Sequence, residues 1–175
     1  LIVTTQTSRR YYRPDTFDKS KSTPNRLTLI REYVAQGGGL VMVGGYMTFQ
    51  GIDGKARYHD TPVEEALPVT MLATDDRVEV PEGRTPIVCA PDHPIVTGLP
   101  AQWPALLGYN RVVPKPGATV TATVGDAPLL VAWEWGRGHA VAFTSDCGPH
   151  WCPPDFLIWP GYAQLWQQMI AWVTA

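Results

Sequence analysis

The stretch Tyr33-Val34-Ala35-Gln36-Gly37-Gly38-Gly39-Leu40-Val41-Met42-Val43-Gly44-Gly45 constrains the fold more than any other part of the chain. Leu27, Ile30, Tyr33 and Val34 recur at helical spacing, with Thr23 placed to cap that helix and Pro24 to fill its first position. Three glycines then stop it, the first suited to a left-handed cap. The run Leu40-Val41-Met42-Val43 follows with no polar face, as expected of a strand buried on both sides in a parallel sheet covered by helices. Helix, glycine turn and buried strand make half of a βαβ unit, which predicts an α/β fold.

The remaining punctuation fits that class. Leu1 to Thr5 reads as a short strand, and Ser8 to Ser22, polar and holding a proline, as a loop. Thr61-Pro62-Val63-Glu64 has a capping-box pattern that predicts a short helix. Strands are predicted at Pro68–Leu72, Pro86–Cys89, Asn110–Val113, Ala118–Val124, Leu129–Trp135 and His139–Thr144. The turn Trp135-Gly136-Arg137-Gly138-His139 predicts a C-terminal β-hairpin. Tyr162, Leu165, Trp166, Met169, Ile170 and Val173 share one face of a closing helix. Residues 1–175 read as a single domain without internal repeats.

Composition narrows the function classes. An apolar fraction of 45% with 17% charged residues describes a globular chain, and a net charge of −2 argues against nucleic-acid binding. The one basic cluster, Arg9, Arg10 and Arg13 with Lys19 and Lys21, reads as a solvated loop. No apolar run approaches the roughly 20 residues needed to span a bilayer. Three cysteines, Cys89, Cys147 and Cys152, are too few for a disulfide scaffold, so a reducing cytoplasm is the expected compartment.

Two motifs carry a family likeness. One is Tyr33 to Tyr46; the other is Ala132-Trp133-Glu134-Trp135-Gly136-Arg137-Gly138-His139-Ala140-Val141-Ala142-Phe143-Thr144-Ser145-Asp146, followed by Trp151 and the helix ending at Ala171-Trp172-Val173. In that order, with Leu67-Pro68-Val69 between them, they resemble the glutamine amidotransferase-like family of bacterial cytoplasmic proteins, and more distantly ThuA-like proteins. The resemblance implies a three-layer, flavodoxin-like sheet with helices on both faces and ligands outside the carboxyl ends of its strands. It also implies one or two early strands ahead of Leu1.

Active members of the wider class I fold place a cysteine on the turn after a central strand, with a later histidine and an acid to activate it. Here the elbow falls at Gly45 or Tyr46, and neither supplies a thiol. Ordinary glutamine hydrolysis is therefore not expected. Gly44 and Gly45 are expected to bring backbone N–H groups to a ligand, beside Tyr46. The second candidate is Asp146-Cys147-Gly148-Pro149-His150-Trp151-Cys152, past the last strand. It offers Cys147 as nucleophile, His150 as base and Asp146 as the orienting acid. The same side chains with Cys152 include zinc-ligand types, but the spacing matches no usual zinc pattern, so neither metal nor cofactor is expected. His93, in Asp92-His93-Pro94, is a further ligand-binding candidate, and Trp151 and Trp159 suggest an aromatic wall for a sugar ring.

Three readings stay open. The first is an amidotransferase-like domain that binds a small polar ligand without the elbow thiol. The second is an amide or ester hydrolase using Cys147 and His150. The third is an interaction protein, a homo-oligomer seamed by the aromatic C-terminal helix.

Overall fold

The computed structural model describes residues 1–4, 6–12 and 14–175. Thr5, from the predicted first strand, and Arg13, from the basic cluster, lie outside the described residues. In chain order come β1 (Ile2–Val3), a 3-10 turn (Ser8–Tyr11), α1 (Pro14–Asp18), α2 (Arg26–Ala35), β2 (Gly39–Val43), a second 3-10 turn (Ile52–Gly54) and α3 (Pro62–Ala66). Then follow β3 (Val69–Met71), β4 (Arg77–Arg84), β5 (Pro86–Val88), β6 (Leu106–Asn110), β7 (Val112–Pro114), β8 (Thr119–Val124), β9 (Ala127–Trp135), β10 (Gly138–Phe143), α4 (Pro154–Leu157) and α5 (Gly161–Val173).

The main sheet has six strands in the order β1-β2-β10-β9-β8-β5. The first three are mutually parallel, with Ile2 opposite Val41 and Val141 also opposite Val41 from the other side. The rest run antiparallel, because β9 and β10 are joined by the two-residue turn Gly136-Arg137 and β8 pairs with β9 in turn. The fold is therefore α/β with a mixed sheet, parallel where the crossover connections lie and antiparallel where hairpins replace them. Two further pairs, β3–β7 and β4–β6, stand apart from it.

Burial on both faces of β2 makes the three layers. Leu40 and Met42 point into one core with Leu27, Ile30 and Val34 of α2. Val41 and Val43 point into the other with Leu165, Met169 and Val173 of α5. That alternation follows from the two-residue repeat of a strand. No helix among the described residues is long and apolar enough to cross a membrane.

Several local expectations are corrected. Ser8 to Ser22 is not a plain loop: it holds the 3-10 turn and α1, and Ser8 is buried with its N–H donating to Ala56 O at 2.8 Å. The cap of α2 is Asn25, whose Oδ1 accepts from Leu27 N at 3.0 Å, rather than Thr23. Ile170 is 44% exposed, so α5 buries a narrower stripe than its sequence pattern predicts. Trp151 and Trp159 are buried, which removes the proposed aromatic sugar wall.

Candidate functional site

The parallel strands β1, β2 and β10 end side by side, and the segments leaving them enclose a cleft of about 520 Å³. Thr4 enters from the end of β1, Tyr46 and Met47 from β2, and Asp146, Cys147, Gly148, Pro149 and His150 from β10. This is the edge where ligands bind in open α/β sheets.

The β2 turn is held too tightly to serve as an anion cradle. Gly44 N donates to Phe143 O at 2.8 Å, and Gly45 N donates to Asn110 Oδ1 at 2.8 Å. Both expected donors are thus engaged within the protein, which corrects the anion role given to Gly44 and Gly45. Gly44 is required for another reason: a Cβ there would lie 2.1 Å from Thr144 O, so a side chain would pry the β2 and β10 loops apart.

Asn110, fully buried at the end of β6, acts as the bracket. Its amide takes Gly45 N, returns a bond to Gly45 O at 3.2 Å and donates to Asp76 Oδ1 at 2.8 Å. Its backbone N–H donates to Thr144 O at 2.8 Å. Asp76, 1% exposed, also accepts from Gln50 N at 2.8 Å and Gly51 N at 2.9 Å, fixing the far end of the same loop. Burial raises the Asp76 carboxyl above the ordinary aspartate value, opposed by these donors. β6 grips the β10 loop as well, since Ser145 Oγ donates to Gly108 O at 2.7 Å and Leu107 N to Trp151 O at 2.8 Å.

Of the predicted catalytic residues, the structure joins two directly. His150 Nδ1 lies 3.2 Å from Asp146 Oδ2, while Asp146 Oδ1 accepts from Cys147 N at 3.0 Å. Asp146 is 8% exposed, and desolvation raises its carboxyl, with His150 acting the other way. Among the described residues His150 Nε2 makes no protein hydrogen bond. The backbone of His150 has φ +146°, a region that only glycine adopts easily, so the ring is held in place against backbone strain. Tyr46 meets it edge-on with centroids 4.2 Å apart, and the Trp151 ring stacks behind it at 5.2 Å. Trp151 is thus a 2% exposed support for the histidine rather than a ligand contact.

Cys147 lines the same cleft, but its Sγ lies 4.0 Å from Thr4 Oγ1 and makes no hydrogen bond to His150. Cys152 is buried in the core, where desolvation pushes its thiol up to about 12. It is not a ligand partner for Cys147 and His150. Among the described residues the group whose ligand atoms converge is His59, Asp60 and Glu64. There His59 turns Nδ1 to Glu64 and Nε2 to Asp60, so the two carboxylates sit on opposite nitrogens. Glu64 accepts instead from Asp60 N and Met71 N, while the Thr61 hydroxyl and N–H both donate to Tyr58 O, so α3 starts at Thr61 as predicted but without the reciprocal capping box. His93 stands apart from the cleft, against Trp172 with centroids 5.4 Å apart.

Sequence reasoning missed four residues that shape the site. Asp76 and Asn110 are one pair; Arg77 and Glu79 of β4 are the other. Tyr46 donates its hydroxyl to Glu79, which raises the phenol above its ordinary value, and the Arg77 guanidinium lies 4.7 Å from the Tyr46 ring centroid. The signal for Asn110 is a lone amide closing the apolar run Leu106 to Tyr109.

Comparison with known proteins supplies the family. Residues 5–175 match the family model described as "Putative glutamine amidotransferase". Cytoplasmic protein STM3548 from Salmonella typhimurium superposes with a TM-score of 0.95 and 42% identity, over 98% of this chain and 70% of that one. Cytoplasmic protein STM1381 from Salmonella typhimurium LT2 gives 0.96 and 40%, over 99% and 71%. A ThuA-like protein from Bacteroides uniformis shares the fold at a TM-score of 0.59 and 14% identity, over 87% and 65%. No curated protein matches the chain. With the family model spanning nearly the whole sequence and two relatives at 40% identity or above, the chain belongs to the glutamine amidotransferase-like family.

Proposed function

We propose that this domain binds a small polar ligand in the cleft at the ends of β1, β2 and β10, with the Asp146–His150 pair as its polar contact. On this reading it does not hydrolyse glutamine at the elbow. The observation that carries it is the strained His150 backbone, φ +146°, holding an aspartate-bound imidazole at the mouth of a 520 Å³ cleft. A fold keeps such strain where a side chain must be presented. The elbow itself offers Gly45 and Tyr46, and the Tyr46 hydroxyl is engaged with Glu79. The two Salmonella relatives are called cytoplasmic proteins, and we place this chain in the same compartment.

A second reading is favoured by Cys147 standing on the same short loop as that pair. Cys147 Sγ would attack an amide or ester carbonyl while its proton passes to His150 Nε2. The leaving group would take that proton, and water would release the acyl group from the thioester. Sγ must first turn away from Thr4.

The test is native treatment with an electrophilic glutamine analogue and peptide mapping, alongside thermal-shift titration with monosaccharides and amino acids. The binding reading expects slow, unselective labelling and a saturable shift that His150→Ala abolishes. Fast stoichiometric labelling confined to Cys147 and blocked by glutamine would replace it with the hydrolase reading. The absence of any His150-dependent shift would sink it.

A further inference from the structure

A second cavity, of about 290 Å³, lies under the connection between β1 and α2 and is lined by Ser8, Arg9, Tyr12, Phe17, Arg57 and Thr61. That volume sits at the small end of the range for ligand sites. Its walls are stitched together from distant segments. Ser8 N donates to Ala56 O at 2.8 Å, and the Tyr58 hydroxyl donates to Gln6 O at 2.7 Å. The two arginines flank the cavity, and among the described residues neither makes a salt bridge, whereas Arg31 and Arg77 both do. Arg57 also has φ +61°, a left-handed backbone uncommon for a residue with a long side chain. The lining also includes Tyr12 and Phe17, which meet edge to face with centroids 5.7 Å apart, and Phe17 is 68% exposed.

We propose that this cavity binds a small phosphate monoester carrying an aromatic ring, the phosphate between Arg9 and Arg57 and the ring against Tyr12 and Phe17. Guanidinium forks match phosphate oxygens in pairs, and two of them without carboxylate partners leave a positive site to be neutralised. The exposed Phe17 face is an apolar surface that a ligand ring would cover. Ser8, which is buried and lines the cavity, supplies one further hydroxyl donor to it. The site is separate from the His150 cleft and does not depend on the function assigned there.

The experiment is calorimetric titration of the full chain with phenyl phosphate and, in parallel, with inorganic phosphate. Phenyl phosphate is expected to bind saturably, at least tenfold more tightly than inorganic phosphate, and more weakly as salt is raised. Arg57→Gly keeps the left-handed backbone while deleting the guanidinium, so it is expected to fold normally and lose at least tenfold in affinity. Arg9→Ala is expected to lose as much, Arg9→Lys less, and His150→Ala nothing. Phenyl phosphate that fails to saturate, or that binds the arginine variants as tightly as the parent, overturns the site. Equal affinity for inorganic phosphate overturns the assignment of a ring-bearing ester.

Discussion

At residue scale the proposed binding site turns on His150. Its backbone sits where an L-residue is strained by about 1–3 kcal/mol, and a glycine would relax that strain. His150→Gly is therefore expected to raise stability by about 1 kcal/mol in chemical denaturation while abolishing ligand binding in the cleft. A variant less stable than the parent would show that the imidazole is structural. The same residue illustrates what a sequence can carry. The string Asp146-Cys147-Gly148-Pro149-His150 marks a candidate site, and the expected contact between Asp146 and His150 is present in the fold. Which member faces which is a matter of χ angles and neighbouring loops, so the pairing of Cys147 with Thr4 instead of His150 was not legible.

At the scale of elements, β6 matters more than its five residues suggest. It belongs to a two-stranded sheet with β4, yet it holds both loops of the cleft, through Asn110 on the β2 side and through Leu107 and Gly108 on the β10 side. Asn110→Ala strands a buried N–H, a buried carbonyl and one partner of Asp76. A loss of about 3 kcal/mol is expected, with loosening at Gly45 to Gly51 visible as faster amide exchange. Unchanged exchange there would show that the bracket is dispensable. Glycine punctuation and apolar runs made β2, β8, β9, β10 and α5 readable, because those elements obey simple periodicities. β4 did not read as a strand: Pro81 interrupts its run, and the pairing with β6 shifts register between Glu79 and Arg84. The β9–β10 turn was legible for a steric reason. Gly136 has φ +64°, and a Cβ there would sit 2.7 Å from the Ala35 backbone at the end of α2.

Across the whole molecule, buried carboxyls tie stability to pH. Burial raises both Asp76 and Asp146 above the ordinary aspartate value of 3.8. A carboxyl raised on folding binds its proton more readily in the native state, so it opposes folding at neutrality and ceases to do so as pH falls through its folded pKa. Asp75 runs the other way, because Arg77 holds it well below the usual range and its small contribution is lost only in stronger acid. Asp146→Asn keeps the acceptor for Cys147 N and removes the titration. As pH falls from neutrality toward the ordinary aspartate value of 3.8, the parent is expected to gain stability relative to this variant in thermal melts. Parallel melting curves would remove Asp146 from the account. If α5 forms the seam of a homodimer, as its half-buried Trp166 and Trp172 and exposed Ile170 allow, Ile170→Glu will shift sedimentation toward monomer.

The amide of Asn110 also sets an order in time. The side chain of Asn110 touches Gly45 and Asp76 and its backbone N–H touches Thr144, so the walls of the cleft meet only after about four-fifths of the chain has been made. Contacts separated so widely along a polypeptide form late, once shorter loops have closed. A nascent chain leaving the ribosome would already hold β1, α2 and β2 yet own no recognition site. On the proposed binding reading, ligand capture would then begin at a single late moment, making occupancy of the cleft a readout of finished folding rather than of synthesis.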